Sequence, residues 1–414
     1  MERMSVWGAG LLMLAATPFA VGDELSESAF FKDSKTQLLN RNFFFNRDFR
    51  DNASTAQSYR QEWAQGLIGT FNSGFTEGTV GFGIDLLGMY GLKLDSSSDR
   101  INSGLLPSSG NHVAGVDHAQ NDYSKATGAI KIKVSNTVLK YGGQSVATPV
   151  FATADSRLLP ETVEGFFLSS KEVKDLTVEA GHFTSMTLQA YARRPGSALT
   201  GADILGASYK LTPTLTASLY GSSVKDYWKK RYAALAWVKP LDDLQTVSLD
   251  LRAYDLKSQG EEKAGELDNQ SYSLKGAYRY AGSTFSLANQ QIHGRGAFQL
   301  YVDGTNTDYL SNYIQYAEFT RENERSWQAR YDFNFASIGV PGLTFMTRYV
   351  RGDNFSASAG QDDREWERDV EMGYVVQSGP AKNLSFRMRQ ATYRNSFNGS
   401  LDEVRLITEY PLNW

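Results

Sequence analysis

The chain has 414 residues, 41% of them hydrophobic and 13% aromatic, with 37 glycines and a formal net charge of −4. It contains no cysteine, which excludes disulfides, thiolate chemistry and cysteine zinc sites, and its small charge gives no bulk attraction for nucleic acid or an anionic membrane surface. Mean hydropathy is −0.40, and no apolar run reaches the roughly eighteen residues of a spanning helix.

The amino end, "MERMSVWGAGLLMLAATPFAVGDE", reads as a secretory signal. Arg3 supplies the positive region, residues 6–16 the apolar core, and Ala20 and Gly22 the small residues before cleavage. Residues 1–22 are therefore expected to be a signal peptide and 23–414 the mature chain, the alternative being a buried amino-terminal helix.

From there an alternation of period two recurs in chain order. In "TVGFGIDLLGMYGLKLD" Val80, Phe82, Ile84, Leu86, Tyr90, Leu92 and Leu94 share a face against Gly81, Gly83, Asp85 and Lys93. "AIKIKVS" sets Ile130, Ile132 and Val134 against Lys131 and Lys133, and "TVSLDLRAY" sets Val247, Leu249 and Leu251 against Asp250 and Arg252. "SYSLKGAYRY", "SWQARYDFNF", "DVEMGYVV" and "LSFRMRQ" continue the pattern, the last with Phe386 and Met388 against Arg387 and Arg389. Segments of about nine to eleven residues suit tilted strands crossing a bilayer, and aromatics gather toward their ends as interfacial girdles would. Short connections at 210–215 and 238–245 alternate with longer polar ones at 96–122 and 354–367. The chain closes on "VRLITEYPLNW", with Val404, Leu406, Thr408, Tyr410, Leu412 and Trp414 on one face. Such an end is similar to the terminal strand by which outer-membrane assembly machinery recognises its clients.

These features predict an all-β fold: one transmembrane antiparallel β-barrel, of roughly sixteen to nineteen strands at the usual strand and connection lengths. Lipid offers no partner for a free backbone amide, so the sheet must close. A barrel that wide encloses water, and passage is the expected function. Arg387 and Arg389 on one strand and Arg405 on the next would face that water and attract carboxylates; the alternative is that they pair with Glu371, Glu403 or Glu409 across the wall. His112, His118, His182 and His293 sit in no catalytic motif, so no enzyme activity and no cofactor or metal is expected. A general diffusion porin and, more remotely, a barrel hydrolase remain the competing readings.

"RNFFFNRD" (41–48), "SGFTEGTVGFGID" (73–85), "DSRLLPET" (155–162), "SWQARYDFNFASIGVPGLTFMTRY" (326–349) and "VVQSGPAKNLSFRMRQA" (375–391) resemble the OprD-type porins, the substrate-specific carboxylate channels of pseudomonad outer membranes. The resemblance runs over the whole mature chain and is nearest to the basic amino-acid branch. It implies an eighteen-stranded monomer narrowed by inward-folded loops, with a ladder of basic residues on one wall. It carries onto Arg387, Arg389 and Arg405, and onto Arg157 and Arg47 as members of the same track. Asp308 and Glu318 match the groups that would hold a substrate's positive end. Against the family pattern Gly373 replaces a ladder lysine, Arg194 a binding-site tyrosine and Tyr313 a serine, while Glu318 stands for a shorter aspartate. The implied partners are small carboxylate solutes, outer-membrane lipid and lipopolysaccharide, and the assembly machinery through the strand ending at Trp414; nucleic acid is not among them.

Overall fold

The structure, a computed structural model, describes residues 28–50, 57–192, 199–299, 302, 310–357, 361–397 and 399–414. The expected signal segment 1–22 lies outside these residues, as do Arg194 and Asp308. A one-turn helix, α1 (Ala29–Lys32), leads into β1 (Lys35–Phe49), β2 (Tyr59–Asn72), β3 (Val80–Asp95), β4 (Asp122–Val134), β5 (Thr137–Gln144) and β6 (Thr162–Ser170). Then come β7 (Leu176–Thr187), β8 (Ala202–Thr212), β9 (Leu215–Val224), β10 (Trp228–Pro240), β11 (Gln245–Ser258) and β12 (Asp268–Tyr280). The last six are β13 (Ser283–Arg295), β14 (Arg325–Asn334), β15 (Leu343–Phe355), β16 (Asp363–Val375), β17 (Ser385–Asn395) and β18 (Leu401–Asn413).

Among the described residues these 18 strands form one sheet, each pairing antiparallel with the next. β18 returns to pair with β1 from Gln37↔Asn413 to Phe49↔Leu401, so the sheet has no edge. Closure is what lets a sheet sit in lipid with its backbone groups satisfied. The even-numbered strands end in short turns, such as residues 135–136, 213–214 and 281–282. The long connections 96–121, 145–161, 188–201 and 296–324 all follow odd-numbered strands. Strands run from 8 to 16 residues, several of them longer than the sequence pattern suggested. Half of residues 354–367 prove to be strand, because β15 continues to Phe355 and β16 starts at Asp363. Polar side chains on both faces of that stretch hid its periodicity.

The alternation sorts side chains as expected. Phe82, Leu86, Ile130, Leu249, Leu274, Phe285, Met372, Phe386 and Met388 are exposed on the outer wall. Asp85, on the opposite face of β3, is bridged inside by Lys131 at 2.7 Å. The lumen is not an open pipe, because two long connections fold into it. Connection 145–161 packs Val150 and Phe151 against Phe183 and Trp228, and Leu158 and Leu159 against Phe43 and Phe45. It is pinned by the wall: Lys125 Nζ donates to Pro160 O at 3.0 Å and Tyr254 Oη to Pro149 O at 2.8 Å, while Arg41 Nη1 donates to the Asp155 carboxylate at 2.6 Å. Connection 310–324 is held opposite. Tyr316 N and Ala317 N donate to the Glu367 carboxylate at 3.0 and 2.6 Å, and Gln290 Nε2 donates to Phe319 O at 2.7 Å. Buried amides that meet a strand carboxylate in this way fix a loop more tightly than apolar contact alone.

Candidate functional site

Strand register decides which side chains meet inside. On β17 the exposed Phe386 and Met388 leave Arg387 and Arg389 pointing into the lumen. Arg389 stands opposite Glu371 of β16 on one side and Arg405 of β18 on the other. Across the closure, Arg405 stands opposite Phe45 and Glu403 opposite Arg47. Connection 145–161 then brings Arg157 to the same place. The guanidinium carbons of Arg47, Arg157 and Arg405 lie 5.3, 5.4 and 5.4 Å from the centroid of the buried Phe45 ring. One aromatic face thus helps hold three like charges together.

Wall carboxylates neutralise part of this charge, so the pairing alternative holds for some of the ladder. Glu403 accepts from Arg47 Nη2 and from Arg405 Nε, both at 2.6 Å. Asp369 accepts from Arg348 Nε at 2.6 Å. Glu371 lies 2.8 Å from Arg389 Nε and 4.0 Å from Arg387 Nε. Six guanidiniums therefore face three carboxylates. Among the described residues the side chain of Arg157 hydrogen-bonds only within its own loop, to Ser156 O at 3.1 Å and Ser156 Oγ at 3.4 Å. Burial, then repulsion from Arg405, pushes the Arg157 guanidinium down to about 9, still protonated at neutral pH. A negative group placed here would relieve the repulsion.

Connection 310–324 faces this wall with Tyr313 and Glu318. Tyr313 Oη donates to Glu318 Oε1 at 3.0 Å and Thr320 Oγ1 to Oε2 at 3.5 Å. Burial raises the Glu318 carboxyl above the usual carboxylate range, although both hydroxyls oppose the shift. Arg47, Arg157, Arg348, Arg389 and Arg405 line a cavity of about 660 Å³ together with Tyr313 and Glu318. A further cavity of about 390 Å³ continues toward the short-turn end between Arg279, Arg330, Arg348 and Arg389, with Asp332 and Glu371 among them.

Six of the residues singled out from the sequence, Arg47, Arg157, Tyr313, Glu318, Arg389 and Arg405, thus meet around one cavity. Arg387 faces the lumen outside that lining, 47% exposed and directly opposite Gly373. Sequence reasoning set Arg330 on the polar face of its strand without singling it out, and it missed Arg348. Both hold inward positions in the alternation of the 326–349 segment, and strand parity alone could have placed them in the lumen.

Residues 28–414 match the family model described as outer membrane porin, OprD family. The chain belongs to the OprD family. It is 40% identical to Porin D of Pseudomonas aeruginosa, across 98% of this chain and 96% of that one. It is 34% identical to the porin-like protein GalP of Pseudomonas putida, across 93% of each. Among solved structures, OccK9 (OpdG) of P. aeruginosa is similar at a TM-score of 0.88 and 37% identity, over 94% of this chain and 100% of that one. OpdK of P. aeruginosa, solved with vanillate, is similar at a TM-score of 0.85 and 35% identity, over 93% and 100%. As an OprD-family porin the protein resides in the outer membrane, with its short turns toward the periplasm and its long connections outward.

Proposed function

We propose that this porin passes small carboxylate-bearing solutes, with amino acids, small peptides and organic acids as the class. The observation that carries the reading is the cavity in which five arginines face Glu318 and Tyr313. Guanidinium groups bind carboxylates bidentately, and a row of them lets a carboxylate pass from one to the next without falling into a deep well. Arg47, Arg157, Arg405, Arg389 and Arg387, with Arg348, make that row. Glu318 and Tyr313 then receive a positively charged group where the solute has one, which suits basic amino acids. The relative solved with vanillate was captured with a carboxylate, in keeping with this class. On the same reading the barrel works as a monomer, and its terminal strand, ending at Trp414, is what the assembly machinery engages.

Uptake into liposomes, compared between carboxylates and neutral solutes of equal size, tests the proposal. A clear excess for carboxylates is expected. Equal rates, with conductance that simply follows bulk conductivity, would make the protein a general diffusion porin instead.

A further inference from the structure

The outer wall carries a charged feature unrelated to the passage. Near the long-loop end, the outward positions of β14, β15 and β16 hold Arg325, Arg351, Arg364 and Arg368. None of the four side chains makes a hydrogen bond or ion pair among the described residues. Three aromatics are threaded between them. Trp327 lies 5.5 Å from Tyr349, and Tyr349 lies 5.7 Å from Trp366. The register sets Arg351 opposite Trp327 on one side and Trp366 on the other, with Arg368 opposite Tyr349. Beside them Arg325 borders a cavity of about 390 Å³ lined also by Gln270, Gln291, His293 and Asn354. Asp353 stands opposite Arg325 and forms no ion pair among the described residues.

Depth decides what such a cluster can meet. On β16 the outward aromatics are Trp366 and Tyr374, eight positions apart. At about 3.3 Å per residue and a tilt near 40°, they stand roughly 20 Å apart along the membrane normal, close to the height of a barrel's apolar band. Trp366 therefore marks the outer interface, with Arg364 just above it and Arg368 just below. Arginines on a lipid-facing wall are disfavoured at mid-membrane and tolerated where their heads reach the headgroup layer. Four of them without protein partners, stacked among interfacial aromatics, form a planar-donor surface for phosphate.

We propose that this outer rim binds the phosphate-bearing headgroup of an outer-leaflet glycolipid. Arg351 and Arg368 hold the phosphate. Trp327, Tyr349 and Trp366 lie along the boundary between sugar and acyl chain. The amides and imidazole beside Arg325 receive sugar hydroxyls. The lumen takes no part, so the rim and the carboxylate passage stand or fall separately.

The test uses the folded barrel in neutral detergent, its folding read from faster migration of the unheated protein on a gel. Native mass spectrometry then measures retention of phosphorylated lipopolysaccharide and of its dephosphorylated form. The wild type should hold the phosphorylated lipid about ten-fold more tightly, as loss of a charge-assisted bidentate contact predicts. In Arg351→Gln with Arg368→Gln that difference should vanish while channel conductance stays the same. Should the double variant fail to fold, Arg325→Gln is the substitute and should weaken the same preference. Equal retention of both lipids by the wild type overturns the proposal, as does undiminished preference in a folded variant. Displacement of the lipid by millimolar inorganic phosphate would also overturn it, by showing that a free anion suffices.

Discussion

Arg389 and Arg405 stand directly opposite each other on neighbouring strands, both facing the lumen. Like charges paired in this way weaken a sheet. The Nε of Arg389 makes no hydrogen bond although it lies 2.8 Å from Glu371, so its orientation leaves the donor free. On the proposed function, an anion entering between them would relieve this repulsion. Arg389→Gln should lower uptake of a small carboxylate by about ten-fold or more, from loss of one charge-assisted bond of about 1.5–3 kcal/mol. Uptake of a neutral solute of equal size should not change. Arg387→Ala combined with Arg389→Ala should deepen the loss, and a folded double variant that still admits carboxylates at the wild-type rate would argue against the ladder.

On the proposed function, Glu318 should give the passage a pH dependence. Its carboxyl is raised by burial, so it takes up a proton at a higher pH than an ordinary glutamate does. Below that point Glu318 presents no charge to a substrate's ammonium or guanidinium group. The ratio of cationic to neutral amino-acid uptake should therefore be greatest near neutral pH and fall as the pH approaches the carboxylate range from above. The sign for stability is the reverse, since a raised folded-state value means that ionised Glu318 disfavours the fold and protonation relieves it. Glu318→Gln should show the low-pH ratio at every pH. A ratio unaffected by both the variant and acidification would remove Glu318 from substrate selection.

Much of the barrel was legible in the sequence because lipid outside and water inside impose opposite demands on alternate residues. The terminal strand shows it: Leu406 and Trp414 are exposed outward, and Arg405 lies buried within. What parity does not encode is which inward residues become neighbours. Arg47 meets Glu403 across 356 positions of sequence, through closure of β18 on β1. The inward loops were equally illegible in the residues themselves, since they are fixed by contacts between residues far apart in the chain, such as Arg41 with Asp155 and Glu367 with two loop amides. The resemblance to a known family supplied the inward fold of the loops, and the structure shows the bonds that hold it.

Gly142 and Gly165 face each other on β5 and β6, just where the chain leaves the wall for the lumen. Gly142 has φ +129°, a conformation that side chains rarely adopt, and a Cβ there would fall 2.3 Å from Gly128 O. Backbone cannot yield by that much within a closed sheet. Gly142→Ala should sharply lower the yield of barrel that migrates in the folded, heat-modifiable form. Gly88→Ala has open space around it and serves as the control. Equal folded yields for the two variants would show that β5 tolerates a side chain at this bend.

Glu403 is the wall carboxylate on which most depends. It is fully buried, accepts from Arg47 at 2.6 and 2.9 Å and from Arg405 at 2.6 Å, and receives Gln315 Nε2 of the inward loop at 3.2 Å. Removing one member of a buried ion pair costs about 3–5 kcal/mol, because the remaining charge stays desolvated. Here two guanidiniums would be left, with Arg157 close by over the same Phe45 ring. Glu403→Gln keeps the side-chain volume and, with its oxygen in the Oε1 place, the bonds from Gln315 and Arg405, while it removes the charge and turns an amide donor toward Arg47. The folded barrel should unfold at lower temperature, and the surviving channels should favour anions more strongly in asymmetric salt. Glu371→Gln, at a carboxylate 28% exposed, should raise anion preference with a smaller loss of stability, because water already screens that pair. Wild-type melting together with unchanged ion selectivity in Glu403→Gln would mean that the arginine wall does not need this counter-charge.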